Sequence, residues 1–161
     1  HLFRYDRHVG AIQRVPIDIG TAPISIYGKR LYYAGKDGII YWYDGTNNLS
    51  LQIKGTSPTI SPDGKKIAYI VSGLIRNSIQ IYDVETKKTQ SVISFFGAVN
   101  PIIRWSGNSR LIAVKTLSDV SLTSLYVVDA STGATVHEFE KSYARNWFFV
   151  EGNWAIGVGP R

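Results

Sequence analysis

A chain of 161 residues with 44% hydrophobic and 19% charged residues can build one packed core and is too apolar to be a disordered tail. Its 10 Tyr, 6 Phe and 4 Trp suit strands, and zero cysteine excludes disulfides, thiolate nucleophiles, Cys-zinc sites and iron–sulfur ligation. The net charge of +6 permits attraction to nucleic acid, anionic lipid or an acidic protein. The Lys and Arg are nevertheless scattered as singles and pairs, the pattern of solubilising turn residues on a β protein, so nucleic acid is not the expected partner.

In chain order, LFRYDRHVGAIQRV from Leu2 predicts a strand, a turn and a second strand within residues 1–15. PISIYGKRLYYAG from Pro23 and IYWYDGTNNLSLQI from Ile40 predict four strands within 16–54. PTISPDGKKIAYIV from Pro58 and IQIYDVETKKTQSVI from Ile79 repeat that pattern within 55–95, and PIIRWSGNSRLIAV from Pro101 with LYVVDASTGATVHEF from Leu125 repeat it within 96–140. NWFFVEGNWAIGVG from Asn146 adds a last hairpin within 141–161. The aspartates ending the third strand of each repeat are Asp6, Asp44, Asp83 and Asp129, and their spacings of 38, 39 and 46 are those of propeller blades.

The expected fold is all-β: a β-propeller of four-stranded antiparallel blades, about four blades' worth. Each recurring Asp closes a third strand, where its carboxylate can accept N–H bonds from the following turn. Residues on both faces of that strand are apolar, such as Ile79, Ile81 and Tyr82, because blades stack face to face. No apolar run approaches the roughly 18 residues of a bilayer span, and the opening residues lack a signal-peptide core, so a soluble chain is expected. Residue 1 is not methionine, and there is none elsewhere, so the chain is expected to be part of a longer propeller; the alternatives are a four-bladed ring closed by pairing of the last hairpin with the first, and a ring shared between chains.

The motif Ser61-Pro62-Asp63-Gly64-Lys65-Lys66-Ile67-Ala68-Tyr69, followed by Ile79-Gln80-Ile81-Tyr82-Asp83, resembles the repeat of TolB-like propellers, with a looser likeness to WD-type blades. It is repeated with departures in Trp105-Ser106-Gly107-Asn108. The resemblance implies a propeller whose first-to-second and third-to-fourth strand turns share one rim, with the remaining loops on the other. It also implies a periplasmic, secreted or cell-envelope location. The family includes binding modules and the propeller caps of prolyl oligopeptidase-like peptidases, and fold alone does not choose between them.

Catalytic chemistry finds little material. There is no G-x-S-x-G elbow, no H-E-x-x-H, no calcium loop and no P-loop. His1, His8 and His137 are expected on the surface, and Glu138 and Glu140 alternate with Phe139 on an outer strand, where solvated charge is the expectation. Tyr41, Trp42 and Tyr43 are expected in the core. No cofactor, metal or catalytic residue is assigned, and the chain reads as leaning away from an enzyme.

What remains is surface. Lys29, Arg30, Lys65, Lys66, Lys87, Lys88 and Arg110, together with Arg7, fall in turns and predict a basic rim facing only Asp63, Glu85 and Glu151. The longer loops 72–77, 94–99 and 117–122 are more apolar and either tuck under neighbouring loops or mark a partner site, for which Leu74, Ile75, Phe95 and Phe96 are the expected residues, since apolar anchors dominate interface energies. The expected function is a non-enzymatic protein-binding or scaffold propeller module. The alternative is the regulatory propeller portion of a larger prolyl oligopeptidase-like hydrolase, and under either reading a protein partner, another subunit or the remainder of its own chain is expected.

Overall fold

The computed structural model describes residues 2–96, 101–117, 123–139, 146–150 and 154–158, and among them there are strands and turns but no helix. The chain divides into two compact units, 1–58 and 59–161. In the first unit β1 (Phe3–Asp6) and β2 (Ala11–Arg14) form a two-stranded hairpin in which Tyr5 stands opposite Ile12. The strands β3 (Ile19–Tyr27), β4 (Arg30–Gly35), β5 (Ile39–Tyr43) and β6 (Asn48–Lys54) form an antiparallel sheet in sequential order. Tyr27 pairs with Arg30, which leaves Gly28 and Lys29 as a two-residue turn. Gly28 has φ +57°, the positive value that the first position of a II′ hairpin turn demands.

The second unit repeats the meander. It contains β7 (Thr56–Ile60, whose start belongs to the first unit), β8 (Lys66–Ser72), β9 (Arg76–Asp83) and β10 (Thr89–Phe96), and then β11 (Ile102–Trp105), β12 (Leu111–Leu117), β13 (Thr123–Asp129) and β14 (Thr135–Phe139). A separate hairpin of β15 (Asn146–Val150) and β16 (Trp154–Val158) follows. Each four-stranded sheet is ordered first to fourth, as blades of a propeller are.

Burial explains why these sequences stack. Ala68 and Ile70 of β8, Ile79 and Ile81 of β9 and Phe95 of β10 form one core with Ile103 and Trp105 of β11 and Ile112 and Val114 of β12. The neighbours of these residues in sequence, Ile67, Tyr69 and Tyr82, are buried too, so β8 and β9 are covered on both faces. This accounts for the apolar runs that lack clean alternation. The outer strand β14, by contrast, is exposed along its whole length, which matches its Thr, His and Glu content.

Three recurring aspartates do the turn work expected of them. Asp44 Oδ1 accepts the N–H groups of Thr46 and Asn47 at 2.9 and 2.7 Å. Asp83 Oδ1 accepts those of Glu85 and Thr86 at 3.1 and 2.7 Å, and Asp129 Oδ1 those of Ser131 and Thr132 at 2.8 and 3.1 Å. Bonds from Asn47 and Thr46 lower the Asp44 carboxyl from 3.8 to about 2. The Thr86 N–H chiefly lowers Asp83, and the Ser131 hydroxyl chiefly holds Asp129 well below the ordinary carboxylate range. The first-to-second strand turns of the two complete blades in the second unit are also chemically equivalent. Ser61 Oγ donates to Asp63 Oδ1 at 2.6 Å and accepts Lys66 N–H at 2.9 Å, while Ser106 Oγ donates to Asn108 Oδ1 at 2.8 Å and accepts Leu111 N–H at 2.9 Å.

Tyr41, Trp42 and Tyr43 differ from expectation. All three are half-buried rather than core. Each instead has a local partner: the Tyr41 hydroxyl donates to Asp37 Oδ2 at 2.6 Å, Tyr43 donates to the Gly45 carbonyl at 2.7 Å, and the Arg30 guanidinium lies 4.5 Å from the Trp42 ring centre. The deeply buried aromatics of that sheet are Tyr32 and Tyr33; the Tyr33 hydroxyl donates to Asn48 Oδ1 at 2.8 Å and its ring stacks on Tyr41 at 5.6 Å.

Candidate protein-interaction site

The loop from β8 to β9 begins at Gly73, whose N–H donates to the Arg76 carbonyl at 3.0 Å. A Cβ at Gly73 would lie 2.5 Å from that same oxygen, so the tight return requires glycine. The turn forces Leu74 and Ile75 outward. Leu74 is 107% exposed and Ile75 75% exposed, the former as open as a side chain in an extended peptide.

Strand pairing supplies the third apolar member. Phe96 stands opposite Arg76 in the β9–β10 register and is 63% exposed, and the Arg76 guanidinium sits 4.1 Å from the centre of its ring. That cation–π contact holds the ring in place, with a magnitude near 0.5–1 kcal/mol at such exposure. Residues 73–76 and Phe96 thus place exposed apolar side chains next to one positive charge.

Phe95 takes the opposite face. Alternation along β10 turns it inward, where it is 8% exposed and packed in the core with Ile79 and Ile81, so of the expected partner-binding residues it is the one a partner could not reach. Arg76, which the sequence gives no reason to single out, belongs to the tip instead. Its register with Phe96 is the signal, and that follows from where β9 and β10 pair. Residues 97–99 and 118–122 of the other two apolar loops lie outside the described residues.

The basic turn residues are not one class. Lys65, Lys87 and Lys88 are exposed, while Lys66 is half-buried and its Nζ donates to the Ala130 carbonyl at 2.9 Å. Arg110 pairs with Asp129 at 3.5 Å. Lys66 and Arg110 therefore secure the turn after β13, whereas Lys65, Lys87 and Lys88 stand exposed, Lys65 within electrostatic reach of the Asp63 carboxylate. Lys29 and Arg30, in the first unit, flank a cleft described below. His8 and His137 are exposed, His137 against Phe139 at 4.1 Å, while His1, Glu140 and Glu151 lie outside the described residues. Among the described residues no cluster of three His, Asp or Glu side chains is placed to hold a metal, and no helix is long and apolar enough to cross a membrane.

No family model and no curated protein sequence matches the chain. Solved structures do. The β-propeller domain of the Trilobed protease from Pyrococcus furiosus is similar at 23% identity and a TM-score of 0.63, over 80% of this chain and 45% of that one. A chain of a mitotic checkpoint complex is similar at 17% identity and a TM-score of 0.65, over 86% of this chain and 44% of that one. A protein assigned as TolB from Agrobacterium tumefaciens is similar at 18% identity and a TM-score of 0.54, over 76% of this chain and 52% of that one. The chain thus spans about half the length of each. Together with the sequential four-stranded sheets, these likenesses give the chain the fold of a β-propeller resembling both TolB-like and WD-type propellers.

Proposed function

We propose that this chain is a protein-binding β-propeller module that engages its partner through Leu74, Ile75 and Phe96. The observation that carries the reading is the full exposure of Leu74 beside Ile75 on a turn held shut by Gly73. Holding large apolar side chains in water is unfavourable, and a contiguous exposed group is a feature of interaction surfaces. The backbone turn closed by the Gly73–Arg76 bond lowers the backbone entropy lost on binding. The exposed Lys65, Lys87 and Lys88 contribute long-range steering, which is weaker per residue and salt-dependent.

A second reading is supported by the likeness to a protease propeller: the chain is the gating propeller of a larger peptidase whose catalytic domain lies elsewhere in the full protein. The two readings separate by experiment. Site-specific photo-crosslinking from position 74 and from the exposed position 136 of β14, in the native cell, should yield one dominant adduct from 74 alone. Equal yields from both positions would remove the tip from the account. An adduct within the chain's own polypeptide, to a peptidase domain, would favour the gating reading over a separate partner.

A further inference from the structure

Within the first unit a cleft of about 490 Å³ opens between the β1–β2 hairpin and the turns of the β3–β6 sheet, a size in the roughly 300–1,000 Å³ range of ligand clefts. Its chemistry is two-sided. Phe3 and Ile26 line it while remaining 59% and 66% exposed. Arg4, Arg14, Lys29 and Arg30 line it as well, against one carboxylate among the described lining residues, Asp44. The N–H groups of Thr46 and Asn47 hold that carboxylate ionised, and it offsets only one of the four positive charges.

We propose that this cleft binds an extended acidic peptide in which carboxylates alternate with large apolar side chains. The argument is charge complementarity combined with order that already exists. Arg30 is held against Trp42 at 4.5 Å and Arg4 donates to Gln13 Oε1 at 2.8 Å, so both guanidinium planes are positioned before a ligand arrives. Arginine fork geometry matches carboxylates and loses little entropy per bond formed. Lys29, on the two-residue turn at Gly28, carries no ion pair among the described residues and is a mobile point charge for a further carboxylate. Phe3 and Ile26 supply the apolar contacts that distinguish a peptide from a bare polyanion. This site shares no residue with the tip at Leu74, so the two proposals stand or fall separately.

The test uses fluorescence anisotropy with a labelled heptapeptide alternating Glu and Phe, its Lys-for-Glu counterpart, an all-Glu heptapeptide and a short oligothymidylate. The alternating Glu peptide is expected to bind, the Lys peptide not at all, and the all-Glu peptide and oligothymidylate at least ~10-fold more weakly. Arg4→Glu with Lys29→Glu should weaken the Glu peptide by ~10-fold or more, since each replaces attraction by repulsion at an exposed site. Phe3→Ala should weaken it several-fold, while Leu74→Asp with Ile75→Asp leaves it unchanged. A milder Lys29→Ala variant, with an unchanged unfolding midpoint, separates lost binding from lost folding. Equal affinity for oligothymidylate, indifference to Lys29→Ala and to the double reversal, or absence of Glu-peptide binding at millimolar concentration would each overturn the proposal.

Discussion

Trp105 donates its indole N–H to the Thr59 carbonyl at 2.8 Å, which ties β11 of one blade to β7 of the blade before it. Trp105 is 9% exposed and belongs to the shared core, while the bond itself is part-buried, ending on the half-buried Thr59. Replacing Trp105 by Phe keeps an aromatic ring and removes the donor. The expected loss is about 0.5–1.5 kcal/mol, the net contribution of the deleted bond. Urea unfolding at neutral pH checks this, and a loss below a few tenths of a kcal/mol would mean that the bond is not a stabilising tie.

Two turns that are chemically alike have different residues at the position of positive φ. Lys87 has φ +58° and Gly133 φ +74°, and each donates its N–H to the Asp that opens its turn, at 2.9 and 2.8 Å. A left-handed conformation costs a non-glycine residue roughly 1–2 kcal/mol, part of which glycine returns as unfolded-chain entropy. Lys87→Gly is therefore expected to stabilise by about 0.5–1 kcal/mol, and Gly133→Ala to destabilise by about 1–2 kcal/mol. Thermal unfolding of the two variants should move the midpoint in opposite directions.

The turn aspartates give the fold a dependence on acid. A carboxyl whose folded pKa lies below its unfolded value contributes stability above the unfolded value, and that contribution disappears as pH falls through the folded one. For Asp44 the window runs from 3.8 down to about 2, and Asp83 and Asp129 act in the same direction. The wild-type midpoint should fall as pH drops from about 4 to about 2. The combined Asp44→Asn, Asp83→Asn and Asp129→Asn variant should start lower at pH 5 and fall less. Parallel curves for the two proteins would show that these turns do not set the acid limit.

The strand order was readable in the sequence because the repeat brings its punctuation with it. Asp83 and Asp129 close their strands through bonds to their own turns, a local interaction that does not depend on the rest of the fold. The turn at Ser106 was harder to equate with the one at Ser61, because Asn108 stands where Asp63 does; yet either side chain offers the acceptor oxygen that the turn needs. The tip was only partly legible. Leu74 and Ile75 flank a glycine whose role is local, but assigning Phe95 inward and Phe96 outward requires the β9–β10 register and its irregularity between Ser91 and Ile93. The cleft beside Phe3 and Ile26 joins side chains far apart in sequence, and only its basic turn residues Lys29 and Arg30 carried a local signal.

The central claim, that Leu74 and Ile75 carry recognition while the lysines steer, is tested most directly by the dissociation constant of the partner crosslinked at position 74. It should be measured for the wild type, for Leu74→Asp with Ile75→Asp, and for Lys65→Glu with Lys87→Glu and Lys88→Glu. Losing two exposed apolar anchors should weaken binding by at least ~30-fold through faster dissociation, in keeping with a hot spot of about 2 kcal/mol or more. The lysine reversals should change it by less than ~10-fold, mainly in the association rate and less so at high salt. The opposite ranking, with the lysine variant abolishing binding and the Leu74 and Ile75 variant indistinguishable from wild type, would contradict the account.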